Sequence, residues 1–296
     1  MKKYGLWIGM LLAVLAILLA DRTASILMTP TITPAEFLNG MPSWTLSFFG
    51  QSFILIQPSS TLFVYLLGLI MIALGLVFLR TLNHQQSRRL FGIGLILWGI
   101  GTLLAGTSYQ AFGYVLKCDG LEACTFTSKF ELIYLLITGF SIDFMVAAIA
   151  YTSLIGQKQR VLINIALLHS IAYFFLLFLG VIVPIHLLIT YEFFMAFYLG
   201  SFLVMFLLNI RHYRLHKDLL NQRLILIWSL FLLVNVGYFI ALFANFSATL
   251  YETTGLWFNA NDVLHLLIIG WAFAIFYALK PTMKDTDEPL KGRITE

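Results

Sequence analysis

Long apolar runs separated by short polar breaks dominate the chain. Seven of them, about 59–80, 90–114, 130–154, 161–183, 185–209, 222–246 and 260–280, come near the ~20 residues a helix needs to cross a bilayer. An eighth run, Tyr4–Ala20, is shorter and follows Lys2 and Lys3. The pattern predicts an all-α integral membrane protein. It is a bundle of seven core transmembrane helices over 59–280 with an N-terminal signal-anchor helix over 1–20, eight spans in all. Two readings of 1–20 stay open, a retained anchor and a cleaved signal peptide. A cut after Ala20 puts Leu18 where a small residue is preferred, which favours the anchor.

The longest break is 21–58. Thr29-Pro30 and Thr33-Pro34 stop any helix there. The stretch Ser52–Gln57, SFILIQ, is β-branched and apolar, as a short strand or a surface-lying segment is. After Lys280 the polar, proline-containing stretch 281–296 predicts a disordered tail.

Composition agrees with the pattern. Hydrophobic residues make up 60% of the chain and charged residues 11%, with a mean hydropathy of +0.91. That excludes an ordinary soluble domain and makes the lipid bilayer the first partner. Charge then orients the bundle. Of the 18 Lys and Arg residues, fifteen fall on one side, and only Arg22, Lys117 and Lys129 on the other. By the positive-inside rule both termini and the breaks at 81–89, 156–160 and 210–221 are cytoplasmic, while 21–58, 115–129 and 247–259 face outside. The short Met-Lys-Lys start and the brief loops fit a bacterial inner membrane. The basic residues are scattered over several loops with no interleaved aromatics, so nucleic acid is not an expected partner. Cys118 and Cys124 share one outer break, where a disulfide is the expected state. Their C-x5-C spacing is not one that zinc sites use.

Ionisable groups inside spans are costly and mark sites, relays or clasps. At 1.5 Å per residue, the outer ends of several spans are the polar ones. Ser108 and Gln110 lie in GTSYQAFGY, Glu131 opens one span, and His186 and Glu192 open another. Asn235, Tyr238 and Asn245 close a fourth, and Asn261, Asp262 and His265 open the last. Asp262 and Asn261 stand three and four residues before His265, so all three can share a helix face. The cluster reads either as interhelical hydrogen-bonding groups or as a cavity whose binding groups are Gln110, Glu131, Glu192, Asn235 and Asn261.

A second constellation is deeper. The turn between 130–154 and 161–183 centres near Gln157, and reflecting Asp143 through it lands near residue 171, within a turn of His169 and Ser170. The pair Asp143–His169 reads as an interhelical clasp or as a proton relay. His212 and His216, four apart among many cations, read as a solvated interface helix. The chain holds no phosphate-cradling or dinucleotide fingerprint and no HExxH.

Ser108 in GTSYQAFGY with Asp262 and His265 in NDVLH resembles the seven-helix hydrolase superfamily of alkaline ceramidases, progestin/adipoquin receptors and hemolysin III-like proteins. The motifs are partial: no histidine follows Ser108, and Ile269 stands a turn beyond His265. The resemblance implies an intramembrane hydrolase of lipid amides or esters, with Ser108, Asp262 and His265 catalytic. In that superfamily the hydrolytic metal is zinc; a metal here would be expected on His186, His265 and Asp262 or Glu192, which requires the 185–209 span to lie beside 260–280. Three functions therefore stand side by side. They are binding of a small molecule or lipid headgroup in the outer cavity, metal-dependent hydrolysis, and a structural or assembly role.

Overall fold

The computed structural model describes residues 32–286 except 40, 49, 82, 83, 184 and 245. The anchor at 1–20, the Thr29-Pro30 break, Asn245 and residues 287–296 lie outside the described residues. Among those described, seven helices are long and apolar enough to cross a membrane. They come as α2 (Pro58–Arg80), α3 (Gln86–Ala105, extended to Ala111 by a π-helical turn), α5 (Lys129–Ser153), α6 (Gly156–Ile182), α7 (Tyr191–His216), α8 (Leu219–Ala244) and α10 (Ala260–Leu279). Two short helices join them, α4 (Gly113–Lys117) and α9 (Phe246–Thr254), and a third, α1 (Pro34–Leu38), precedes them; Thr33-Pro34 thus opens a short helix in 21–58, with Thr33 as N-cap and Pro34 in the first turn, where a helix stop was expected. The chain is an all-α, multi-pass membrane protein.

The expected span starting at 185 begins six residues later. His186–Ile189 is a 3-10 turn, and Thr190 accepts a hydrogen bond from the Phe193 N–H, which fixes the start of α7 at Tyr191. The only sheet among the described residues is a hairpin, β1 (Ser43–Phe48) antiparallel to β2 (Gln51–Ile56), with Ser43 opposite Ile56. The SFILIQ stretch therefore supplies β2.

Six spans close a ring in the order α2, α3, α5, α7, α8, α10 and back to α2. The α6 helix stands outside it, against α5 and the aromatic side of α7. The tightest seam is α2 on α3. A Cβ on Gly99 would lie 2.5 Å from the Gly68 carbonyl, and one on Gly75 2.5 Å from the Gly92 carbonyl. Only glycine lets the two backbones come that close, the usual device of helices that pack in lipid.

Consecutive spans alternate in direction, so the bundle has two unlike ends. Eleven of the Lys and Arg residues among those described lie at one end, called the arginine end, and only Lys117 and Lys129 at the other, the disulfide end. Arg88 organises the arginine end. Its guanidinium donates to the Met283 carbonyl (2.8 Å), to the Thr81 carbonyl and hydroxyl (3.1 and 2.9 Å) and to the Lys280 carbonyl. It thus covers acceptors left over at the last turns of both α2 and α10. In return Asp285 accepts from the Gln86 and Ser87 N–H groups at 2.9 and 2.8 Å, at the start of α3. Through Met283 and Asp285 the stretch after Lys280 is tied back onto the bundle.

Candidate functional site

The ring encloses a cavity of about 890 Å³, lined by all six of its helices and by no residue of α6. Its two ends differ. Toward the disulfide end the lining includes Tyr109, Gln110, Lys117, Glu131, Asn261 and His265. Toward the middle of the bundle it is aromatic. Trp98, Trp271 and Phe231 form a floor with ring centres 5.0–5.8 Å apart, and Phe202 and Trp228 complete it.

The polar end is built from α3 and α5. The π turn Gly106–Ala111 adds a residue to the helical turn, with the Phe112 N–H reaching the Thr107 carbonyl at 2.9 Å. Such turns re-aim side chains at functional sites. Here Tyr109 and Gln110 line the cavity, while Ser108 is fully buried and turned to α5. At the start of α5 the Ser128 hydroxyl accepts from the Glu131 N–H at 3.2 Å, an N-cap. The Glu131 carboxylate then receives three donors: Lys117 Nζ and Ser108 Oγ at 2.8 Å on one oxygen, and Thr127 Oγ1 at 3.0 Å on the other. The Lys117 ammonium also sits 5.3 Å from the Tyr109 ring centre and 5.8 Å from that of Phe37. The next residue is Cys118, disulfide-bonded to Cys124, and the Thr125 N–H returns to the Lys117 carbonyl at 2.8 Å. The disulfide loop therefore holds Lys117 over Glu131.

The last span divides its three polar residues. Asn261 and His265 line the cavity, one turn apart. Asp262 does not. Its carboxylate accepts from the Asn259 N–H at 2.9 Å, and the Asn259 side chain accepts from the Asp262 N–H at 3.1 Å, a complete capping box. The shared face expected for Asn261, Asp262 and His265 is thus corrected to Asn261 and His265. The third residue of a helix is drawn back to its own N-cap, whatever its spacing to residues further on. Asn259 goes on to Gln57 and Ser60, both at 3.3 Å, and ties α10 to α2.

The other sequence candidates are placed as follows. Glu192 is exposed at the cavity mouth. Asn235 lines the cavity but donates to the Phe231 carbonyl of its own helix at 2.7 Å. His186 stacks on Phe126, ring centres 4.7 Å apart, and does not line the cavity. Ser108 shares its hydroxyl with Glu131 and, at 2.6 Å, with Ser128, and no hydrogen bond among the described residues links it to Asp262 or His265. Neither the triad Ser108, Asp262, His265 nor the ligand set His186, His265, Asp262 is brought together. Among the described residues no three His, Cys, Asp or Glu side chains are grouped to hold a metal ion.

Asp143 and His169 are in contact, Nδ1 lying 3.1 Å from Oδ1. Ser170 also donates to Asp143 at 2.6 Å and Ser201 at 3.4 Å, so one carboxylate joins α5, α6 and α7. The His169 ring stacks on Phe197 at 4.3 Å.

Sequence reasoning missed Lys117 as the partner of Glu131, and it missed the three tryptophans of the floor. The first had a visible signal. Ser128-x-x-Glu131 has capping-box spacing, and Lys117 is one of two cations at that end among the described residues. The tryptophans had none, since an aromatic in a span reads alike whether it faces lipid or a cavity. Comparison with protein-family models, curated proteins and solved structures finds no match for this chain.

Proposed function

We propose that the protein is a binding protein of the membrane, holding an amphiphilic small molecule in the cavity with its polar end toward the disulfide end. One observation carries this reading. Gln110 and His265 both line the cavity, and each keeps a buried side-chain atom, Gln110 Oε1 and His265 Nδ1, with no hydrogen-bond partner among the described residues. A buried polar atom left unpaired costs about 1–3 kcal/mol. Two such side chains at the polar end of one cavity suit a ligand whose polar head hydrogen-bonds to them after a small side-chain rotation. The volume lies inside the range of about 300–1,000 Å³ typical of small-molecule pockets. An apolar lining with a few convergent polar groups is the usual character of such pockets.

The split of basic residues between the two ends supports the arginine end facing the cytoplasm and the cavity mouth facing outside. A bacterial inner membrane, with 1–20 as a retained anchor, completes this reading.

The test is thermal unfolding of the purified protein against a panel of lipids and water-soluble metabolites. A binder should raise the midpoint of the wild type and lose most of that shift in Gln110→Ala and His265→Ala. Equal shifts in wild type and both variants, or no shift from any compound, would sink the reading.

A further inference from the structure

We infer that the cavity opens sideways into the bilayer between α7 and α8, and that its occupant is a hydrocarbon-chain lipid with a neutral or cationic head. The inference rests on the cavity being a binding site and adds the route and the chemical class.

The route follows from three residues of the cavity wall. Leu199 of α7 and Leu232 and Phe239 of α8 line the cavity and are 54%, 42% and 47% exposed. Wall residues so little covered by protein mark the α7–α8 seam as a thin part of the wall. The contacts between the two helices show why it is thin there. Among the described residues their hydrogen bonds lie toward the arginine end and their ring contacts toward the middle of the bundle. They are Asn209 with Asn221 at 2.8 Å, Asn209 with Trp228 at 2.9 Å, His212 with Asn221 at 3.0 Å, and Phe202 with Trp228 and Phe231. The turn at 217–218 joins α7 and α8 at that same end. Toward the disulfide end the helices have Met195 and Leu199 on one side and Leu232 and Phe239 on the other, with Tyr191 and Glu192 of α7 and Asn235 and Tyr238 of α8 at the same end. Each of these lines the cavity. Both helices are membrane spans, so the gap faces hydrocarbon.

The occupant follows from what lines the path. The polar groups Tyr191, Glu192, Asn235 and Tyr238 can meet a headgroup, while the Met195, Leu199, Leu232 and Phe239 stretch gives a water-soluble solute nothing in exchange for its hydration, whereas an acyl or isoprenoid chain crosses it without loss. Beyond that stretch the tryptophan floor is also apolar. At the head end the cavity has Glu131 and Glu192 against one cation, Lys117, whose ammonium is already 2.8 Å from Glu131. An anionic head would meet a net negative mouth, while a zwitterionic or cationic head would meet carboxylate and tyrosine ring faces.

The experiment uses the full chain in lipid nanodiscs and a phosphatidylcholine with a diazirine at the end of one acyl chain. A phosphatidylglycerol of the same chain serves as the anionic counterpart. After irradiation the adducts are mapped by mass spectrometry. The expected result is labelling at Met205, Trp228, Phe231 or Trp271 that excess unlabelled phosphatidylcholine removes. Phosphatidylglycerol should label the same positions more weakly, and Leu199→Trp/Leu232→Trp should lose the floor label. If that variant does not fold, competition in the wild type decides alone. Adducts confined to outward residues such as Leu168 and Phe175 overturn the lateral route. Equal labelling by the two lipids overturns the head assignment. A water-soluble compound that shifts the unfolding midpoint, with no floor labelling, overturns this inference and leaves the cavity reading standing. Absence of both overturns both.

Discussion

Glu131 and Lys117 form a buried ion pair at 2.8 Å, their side chains only 4% and 11% exposed. They come from different places, one from the first turn of α5 and the other from the end of α4. The pair survives burial because Ser108 and Thr127 occupy the acceptor sites that Lys117 leaves. Removing one member of such a pair strands the other and costs about 3–5 kcal/mol. Glu131→Leu should therefore destabilise the bundle by about that amount. Adding Lys117→Met to it should recover a large part, because the stranded charge goes too. Chemical unfolding of the two singles and the double, read as a mutant cycle, checks this. Additive losses would show that the two side chains are not coupled.

The disulfide beside Lys117 closes a small loop, with Cys118 and Cys124 six apart in sequence. Loop closure of that size restricts the unfolded chain by about 2 kcal/mol. Cys118→Ala/Cys124→Ala should lower stability by about 2 kcal/mol, and it should also weaken ligand-induced shifts, because the loop positions Lys117 at the cavity. An unfolding curve that moves while the ligand shift does not would separate the loop from the site.

The spans were legible in the chain because hydrocarbon imposes one rule on every lipid-facing position. The partner of Asp143 was legible too, since two helices joined by a tight turn are mirror images in depth. That argument reaches only across one turn. It placed His169 beside Asp143, but it has no means of pairing Glu131 with Lys117, which lie on either side of the disulfide loop. It also misplaced Asp262, where local backbone capping outranks helical periodicity. The cavity floor was illegible for a further reason. Which face of α8 or α10 points inward depends on ring order, and hydropathy does not vary around helices that are apolar on every side.

Arg88 ties the ends of α2 and α10 together through four hydrogen bonds, two to Thr81 and two to Lys280 and Met283, and Asp285 caps α3 in exchange. Arg88→Ala should cost about 2–4 kcal/mol, given that each bond from a charged group contributes about 1.5–3 kcal/mol. It should also expose the chain after Lys280 to protease. Asp285→Asn removes the charge but keeps an acceptor, and should cost about 1 kcal/mol. Limited proteolysis with intact-mass readout follows the first effect. Unchanged cleavage of the tail in Arg88→Ala would contradict the assigned role.

The α7–α8 turn carries a pH-dependent element. Partial burial pulls the Asp218 carboxyl upward, but the Asn221 N–H and side chain, with His212, outweigh it and hold the group below its ordinary value of 3.8. A carboxyl depressed in the folded state stabilises at pH above its unfolded value, and that contribution fades as pH falls through the folded value. Wild type should therefore unfold at a higher temperature than Asp218→Asn at neutral pH. The gap should close only in acid below about pH 4. A gap that is constant down to pH 3 would assign the effect to hydrogen bonding alone.

The Asp143 carboxylate decides between a clasp and a relay. It is 5% exposed and joins three helices through His169, Ser170 and Ser201. If it serves only to hold α6 on the ring, chemistry is dispensable and shape is not. Asp143→Leu alone leaves three polar side chains without their acceptor and should cost about 3–5 kcal/mol. The double variant Asp143→Leu/His169→Phe removes the histidine from that debt, and Phe packs on Phe197 as the imidazole does. It should regain stability and keep the ligand-induced shift of the wild type. A relay predicts otherwise, since both members carry the proton and no apolar pair replaces them. A double variant that is stable and still binds would establish the clasp. One that is stable but has lost a proton-linked change in ligand affinity, measured at pH 5.5 and 7.5, would establish the relay.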